Sequence, residues 1–246
     1  MKRFVISLTI LLMAVVLFNC TPTKSIQKNL NSECSTLAYL KDSDFSGNLK
    51  ETGISVDKVS FNVTDFPDET QVIKQKSWFI PLVLVYIWNS KNLCTLGKSV
   101  IAENIPDFLE QSFIEESDRS GIYYILDSED SEYHLEISID EIKTEGEYKS
   151  GGFFYFAVYV YGYYYSDIAG PALSTLGVSY KLRKDDQVIL SNTITAETIT
   201  KQIPVHVNNV KQLQKDYAVS MVEASSANFK KVIEKIVSEI NDYFKS

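Results

Sequence analysis

The sequence lacks the motifs that mark most enzyme classes. It contains no Gly-x-Ser-x-Gly serine elbow, no Gly-x-x-x-x-Gly-Lys phosphate loop and no Gly-x-Gly-x-x-Gly dinucleotide motif. Its two histidines, His134 and His206, are far apart, and neither has a Cys, Asp or Glu at a zinc-ligand spacing. These absences argue against nucleophilic, nucleotide-dependent and zinc-dependent catalysis. We therefore expect no cofactor and no metal.

The chain also lacks any basic run. Lys2 and Arg3 are two of its 24 basic residues, so the remainder has 22 basic residues against 32 acidic ones. This acidic balance argues against nucleic acid as a partner. It also argues against attraction of the whole body to anionic lipid headgroups, so that membrane attachment would need another device.

The first twenty residues supply such a device. A basic start, Lys2-Arg3, is followed by a 15-residue apolar run over residues 4–18 and then by Asn19-Cys20. A membrane-spanning helix needs roughly 20 apolar residues, so the run is too short for a permanent span and has the usual length of a signal-peptide core. An uncleaved anchor and a buried core helix are the alternatives.

A cysteine at this place, with Leu17 three residues before it, resembles the lipobox of bacterial lipoproteins. Asn19 departs from the small residue that the box prefers, so the lipobox is a relaxed one. The resemblance implies removal of residues 1–19 as a signal peptide and acylation of Cys20. It implies attachment to the membrane of a bacterial envelope, and Thr21 favours the outer membrane. Each buried acyl methylene contributes about 0.8 kcal/mol, so two or three chains hold a protein stably.

The chain has three cysteines. If Cys20 is acylated, Cys34 and Cys94 remain as a pair. An oxidising envelope permits a disulfide between them, and the alternative is two separate buried thiols.

The hydrophobic pattern predicts a tether over residues 20–52 and a single α+β domain over residues 53–246. The fold class we expect is a mainly antiparallel sheet with two amphipathic helices packed on one face. Apolar alternation predicts strands at Val59–Val63, Tyr123–Leu126 and Tyr133–Ile139, and a hairpin over Leu176–Ala196 that turns at Lys184-Asp185-Asp186-Gln187. Helical spacing predicts helices over Ile101–Phe113, with Asn104 as cap or Pro106 as a kink, and over Val222–Tyr243.

Two aromatic segments are the candidates for a binding surface. Trp78–Trp88 is an apolar run that predicts either a core strand or a hairpin that dips into a membrane or binds a partner. After a break at Gly151-Gly152, the segment 153–165 predicts a strand with phenylalanine and valine on one face and tyrosines on the other. We take Trp78, Trp88, Tyr155, Tyr159, Tyr161 and Tyr163 as the possible partner-binding surface. The alternative is that a helix covers the tyrosines.

The Val59–Val63 strand, the Ile101–Phe113 helix, the Tyr133–Ile139 strand, the Leu176–Ala196 hairpin and the final helix together resemble the auxiliary envelope lipoproteins of ABC-type transport systems. This resemblance implies a non-catalytic protein that binds or assembles an envelope complex, with the membrane and an envelope protein as partners. The competing hypothesis is an envelope hydrolase that uses Glu136 and Asp140, which lie four positions apart on one polar strand face.

Overall fold

The computed structural model describes residues 23–39, 52–57, 59–82, 84–126, 131–157, 160–185, 187–204 and 209–246. The predicted signal peptide, Cys20, Tyr159 and His206 lie outside these residues. The helices and strands, numbered in chain order, are α1 (Thr23–Leu30), β1 (Thr52–Val56), β2 (Ser60–Phe61), β3 (Gln71–Leu82), β4 (Val85–Thr95), α2 (Ile105–Ser120), β5 (Tyr123–Leu126), β6 (Tyr133–Ala157), β7 (Val160–Lys184), β8 (Gln187–Ile199), β9 (Ile203–Pro204) and α3 (Val210–Lys245).

The expected α+β class is broadly right, but the sheet is mixed. Strand β1 pairs in parallel with β5 and with β6, and β2 pairs in parallel with β6. The other pairs, from β3–β4 to β7–β9, are antiparallel. The parallel pairs arise because the chain between β1 and β5 crosses over through α2, and such a connection brings the second strand back in the same direction.

Strands β6 and β7 form the spine of the sheet. Each has 25 residues, and they pair from Tyr133↔Lys184 to Ala157↔Val160. Near the Tyr133 end, β6 also pairs with β1 and β2, and β7 pairs with β8. Beyond Glu145, β6 instead pairs with β4, whose other side pairs with β3. The predicted turn at residues 184–187 is confirmed, and Asp185 has the left-handed φ of 47° there.

The long helix α3 covers one face of the spine. Its buried stripe includes Tyr217, Phe229, Ile233 and Ile240, and it packs against β7 and β8. At its end, the ring of Phe244 meets that of Tyr133 with centroids 5.2 Å apart. The helix starts 12 residues before the predicted Val222, because Leu213, Tyr217, Ala218 and Met221 extend its buried stripe through a polar stretch. None of the described helices has the length and apolarity needed to cross a membrane.

Helix α2 begins at Ile105 with Asn104 as its N-cap residue and ends at Gly121. Pro106 lies in its first turn, where the missing N–H costs nothing, so it does not kink a longer helix.

The predicted strand at Val59–Val63 is shorter than expected, since only Ser60 and Phe61 pair with β6.

The described part of the predicted tether is packed against the domain. Ile26 and Leu30 of α1 are 0% exposed and belong to the core, and α1 lies against β3 and α3. Further along, Leu37 is buried and Ser35 pairs with Ile101. The folded body therefore includes Ile26, Leu30 and Leu37, which lie within the predicted tether over residues 20–52.

We predict that shortening Leu30 to alanine destabilises the whole domain. The substitution leaves a cavity between α1 and α3, so the free energy of unfolding should fall by about 2–5 kcal/mol. The exposed Lys28 of the same helix is the control, and Lys28→Ala should change this free energy by less than about 0.5 kcal/mol. Urea denaturation measures both. Equal stability of the two variants would show that α1 is a loose tether.

Candidate functional site: an aromatic wing

Four strands continue past the helices as an antiparallel projection. We call this projection, formed by residues 77–90 of β3 and β4 and residues 150–166 of β6 and β7, the wing. Two predictions are wrong here. Strand β6 does not break at Gly151-Gly152, and residues 153–165 do not form one strand, because the chain reverses and pairs Phe154 with Tyr163 and Phe156 with Tyr161.

The Trp78–Trp88 segment is likewise a hairpin and not a core strand. Its two arms pair Phe79 with Trp88 and Leu82 with Val85. Across the wing, β4 then pairs with β6, so that Trp88 lies beside Gly152 and Tyr86 beside Phe154. Side chains in one cross-strand row lie on the same face of a sheet. The wing therefore has two faces that each draw residues from four strands.

The helix-side face continues the surface on which α3 packs. Its first row consists of Phe79, Trp88, Gly152 and Tyr165, and its second of Pro81, Tyr86, Phe154 and Tyr163. The opposite, open face carries a row of Ile80, Ile87, Phe153 and Tyr164 and a row of Leu82, Val85, Tyr155 and Gly162. Adjacent rows of a sheet lie on opposite faces. The row of Trp78 is next to the row of Phe79 and Trp88, so Trp78 lies on the open face and Trp88 on the helix-side face.

Two glycines make room for aromatic rings in the wing. A Cβ atom on Gly152 would lie 2.5 Å from the ring of Trp88, and one on Gly162 would lie 2.3 Å from the ring of Tyr155. Each ring therefore lies flat across a neighbouring strand. Gly152, one of the two glycines that we interpreted as a break, is needed instead for this close approach.

The wing leaves large apolar side chains exposed. Tyr161 is 71% exposed, Tyr163 67% and Leu84 53%, and none of the described helices covers these two tyrosines. Other exposed members are Trp78, Phe79, Ile80, Leu82, Phe153, Tyr155, Phe156, Val160 and Tyr164. Soluble proteins rarely expose a contiguous apolar patch of this extent unless it contacts something.

A buried polar network lies where the wing meets the body. Asp167 of β7 is 0% exposed, and its Oδ2 accepts hydrogen bonds from the phenols of Tyr148 and Tyr165, the latter at 2.9 Å. Gln214 of α3 donates to the Tyr148 oxygen at 2.9 Å, and Asn29 of α1 donates to Gln214 Oε1 at 2.7 Å. The network thus ties α1 and α3 to the base of the wing.

Burial sets the charge state of this network. It raises the pKa of the Asp167 carboxyl above the ordinary value of 3.8, although the hydroxyls around the carboxyl act in the opposite direction. Burial and the Asp167 charge both raise the pKa of Tyr148. Sequence reasoning missed this network. Its one signal was an isolated aspartate at the end of a tyrosine-rich segment.

The two carboxylates of the hydrolase hypothesis do not form a catalytic pair. Glu136 and Asp140 line one open cleft together with Asp57, Ser60, Asn62 and Ser138. Glu136 makes an ion pair with Arg183 at 3.1 Å, while Asp140 is exposed and accepts a hydrogen bond from Ser138 at 2.7 Å. His134 is likewise held 3.3 Å from Asp57. Neither carboxylate has the desolvated environment that general acid catalysis requires.

The remaining candidate residues are separate. Cys34 and Cys94 are free thiols and not a bridge, with Cys34 exposed and Cys94 buried on β4. Burial raises the pKa of Cys94 to about 12, so this thiol stays protonated and behaves as a small apolar group. Within the described ranges, no three His, Cys, Asp or Glu side chains come together as metal ligands.

Comparison with known proteins gives weak likenesses only. No family model and no curated protein matches the chain. Among solved structures, protein XCC0632 from Xanthomonas campestris, described as DUF330, is 15% identical with a TM-score of 0.47, over 86% of this chain and 97% of that one. The hypothetical protein CT253 from Chlamydia trachomatis is 7% identical with a TM-score of 0.37, over 76% and 96%. Likenesses at this level establish neither family nor function.

We predict that Asp167 makes the domain less stable as the pH rises. A carboxyl whose pKa is raised by folding contributes fully below its unfolded-state pKa, and this contribution is lost as the pH rises through the folded-state value. Asp167→Asn should therefore gain stability relative to the parent chain as the pH rises above the ordinary carboxyl value of 3.8. Urea denaturation over a series of rising pH values measures the difference. Asp140→Asn, on the exposed open face, is the control. If the difference in free energy of unfolding from the parent chain does not change with pH for either variant, the prediction is refuted.

Proposed function

We propose that this chain is a lipid-anchored protein of the bacterial envelope that acts without catalysis. In this proposal Cys20 carries the acyl chains, and the protein binds or helps to assemble an envelope complex at the outer membrane. The single observation that carries the proposal is the wing, whose exposed apolar side chains form a contact surface larger than a free soluble protein would keep.

The build of the wing supports a binding role. Its aromatic rings stack across strands, with centroids 6.1 Å apart for Phe79–Tyr86 and 5.7 Å apart for Phe153–Tyr164. Rings held in this way lose little further entropy on binding, and each tyrosine offers a hydroxyl as well as an apolar surface. The network around Asp167 fixes the base of the wing to α1 and α3. Such a surface is preorganised for contact.

The open-face cleft gives the hydrolase hypothesis no comparable support. Its carboxylates are paired with Arg183 or exposed to water, so the Ser138 hydroxyl, which donates to Asp140, has only an exposed carboxylate as a neighbouring base. We retain binding as the function.

Photocrosslinking in the native envelope tests the proposal. A photoreactive phenylalanine analogue in place of Tyr161 or Tyr163 should give a reproducible adduct with the envelope component that the wing contacts, protein or lipid, because both side chains project from the wing. Val188 is the matched control, since it is exposed and apolar but lies at the far end of β7 and β8. Mass spectrometry of the same material should find acylated Cys20 as the mature N-terminus.

Two kinds of result would count against the proposal. Equal labelling at Val188 and at the wing, or no reproducible adduct with an envelope protein or lipid at Tyr161 and Tyr163, would contradict the binding role. An unmodified Cys20, or cleavage at another residue, would contradict the lipid anchor. Cys20→Ser should lose both the membrane attachment and the adducts.

A further inference from the structure

We infer that the end of the wing dips into the lipid interface of the membrane that holds the chain. This inference rests on the lipid anchor of the proposed function and names a lipid surface as what the wing contacts. Five features of the described residues and the sequence carry it.

The first feature is the chemistry of the hairpin ends. Hairpin turns in water commonly use Gly, Asn or Asp, and the β7–β8 hairpin follows this rule with Lys184-Asp185-Asp186-Gln187. At the ends of the two hairpins of the wing, the described residues are instead Leu82, Leu84 and Val85 in one and Phe156, Ala157 and Val160 in the other. No Gly, Asn or Asp lies between them in the sequence. Apolar hairpin ends are stable where their side chains are removed from water.

The second feature is that both faces of the wing are apolar. Ile80 and Phe153 are exposed on the open face, and Phe79 and Tyr163 on the helix-side face. A protein docked on one face would leave the other in water. Lipid surrounds a thin projection on both sides, and Trp and Tyr are the residues that favour the membrane–water interface.

The third feature is local charge. Residues 70–96 and 148–166 contain four lysines and no acidic residue, in contrast to the acidic balance of the whole chain. Lys76, Lys91 and Lys149 form one cross-strand row just behind Trp78. Glu147 pairs with Lys91 and Lys149 at the base of the wing. Lysines in this position suit phosphate headgroups.

The fourth feature is the place of the anchor. Cys20 precedes Thr23 by three residues, which span at most about 11 Å. Helix α1, which starts at Thr23, packs against β3 and joins the base of the wing through Asn29 and Gln214. Thr23 lies six residues, or about 9 Å of helix, before Asn29, so the acyl chains emerge within about 20 Å of this contact at the base of the wing.

The fifth feature limits the depth of insertion. In the wing, β3 and the first part of β7 each pair on one side only among the described strands. Open strand edges leave backbone groups that hydrocarbon cannot satisfy, so the wing enters the interface and does not span. Pro81 on β3 removes one such donor. Leu82, Leu84 and Val160 would lie deepest.

Tryptophan fluorescence tests this inference without an added probe. The chain has only two tryptophans, Trp78 and Trp88, and they lie on opposite faces of the wing. The full-length lipidated protein is placed in phosphatidylethanolamine–phosphatidylglycerol vesicles with and without brominated acyl chains. The single-tryptophan variants Trp78→Phe and Trp88→Phe should each lose emission to the brominated lipid, and bromines high on the chain should quench more than bromines near its end.

The control variant carries Leu82→Asp and Leu84→Asp, which keep both tryptophans and should abolish the quenching. Vesicle flotation reports the anchor independently. Protein that floats with neither tryptophan quenched would overturn the inference and leave the anchor intact. Quenching of one tryptophan alone would mean that protein or a second copy covers the other face, which also overturns it. Protein that does not float would contradict the anchor, and with it the inference.

Discussion

The length of the β6–β7 strand pair determines which part of the sheet is covered by helices and which part projects beyond them. Two strands of 25 residues extend about 80 Å at roughly 3.3 Å per residue, whereas the 36 residues of α3 extend about 54 Å. The helix covers the spine from the level of Tyr133, where Phe244 packs, to that of Tyr148, where Gln214 donates its hydrogen bond. Nine further residues of β6, or about 30 Å, have none of the described helices over them. The wing is this uncovered length, widened by β3 and β4.

Because α1 packs in the core, the wing has a fixed position relative to Thr23, where α1 begins. Ile26 and Leu30 hold α1 in the core, while Asn29 connects it through Gln214 and Tyr148 to Asp167. Little free chain then separates Cys20 from the folded body. If Cys20 carries the lipid, the body sits at the membrane surface and is held there through α1, which contacts β3 and α3. A protein on a long tether could approach a partner in any orientation, and this one could not.

The sequence predicted the elements that carry their own start, stop or period signals. Helix α2 has Asn104, Pro106 and Gly121 at its ends, the β7–β8 turn has Asp185, and the Tyr133–Ile139 alternation is regular. The reversal between Phe156 and Val160 was missed because the turn contains none of the usual turn residues. Helix α1 was missed because only Ile26 and Leu30 mark its apolar face, and the crossover that makes β1 parallel leaves no local pattern. The contact surface was predicted by residue type, but its two-faced shape depends on pairing between distant strands. Cys20 remains a prediction.

The central claim is that the wing and the lipid anchor lie at the same end of the folded body, with little free chain between the anchor and that body. Neutron reflectometry of the lipidated protein on a supported bilayer tests it directly, because it resolves the protein, lipid and water layers along the membrane normal. We predict protein density that begins within the headgroup layer and continues without a break into the folded body. A water-filled gap between the headgroups and the body would contradict the account.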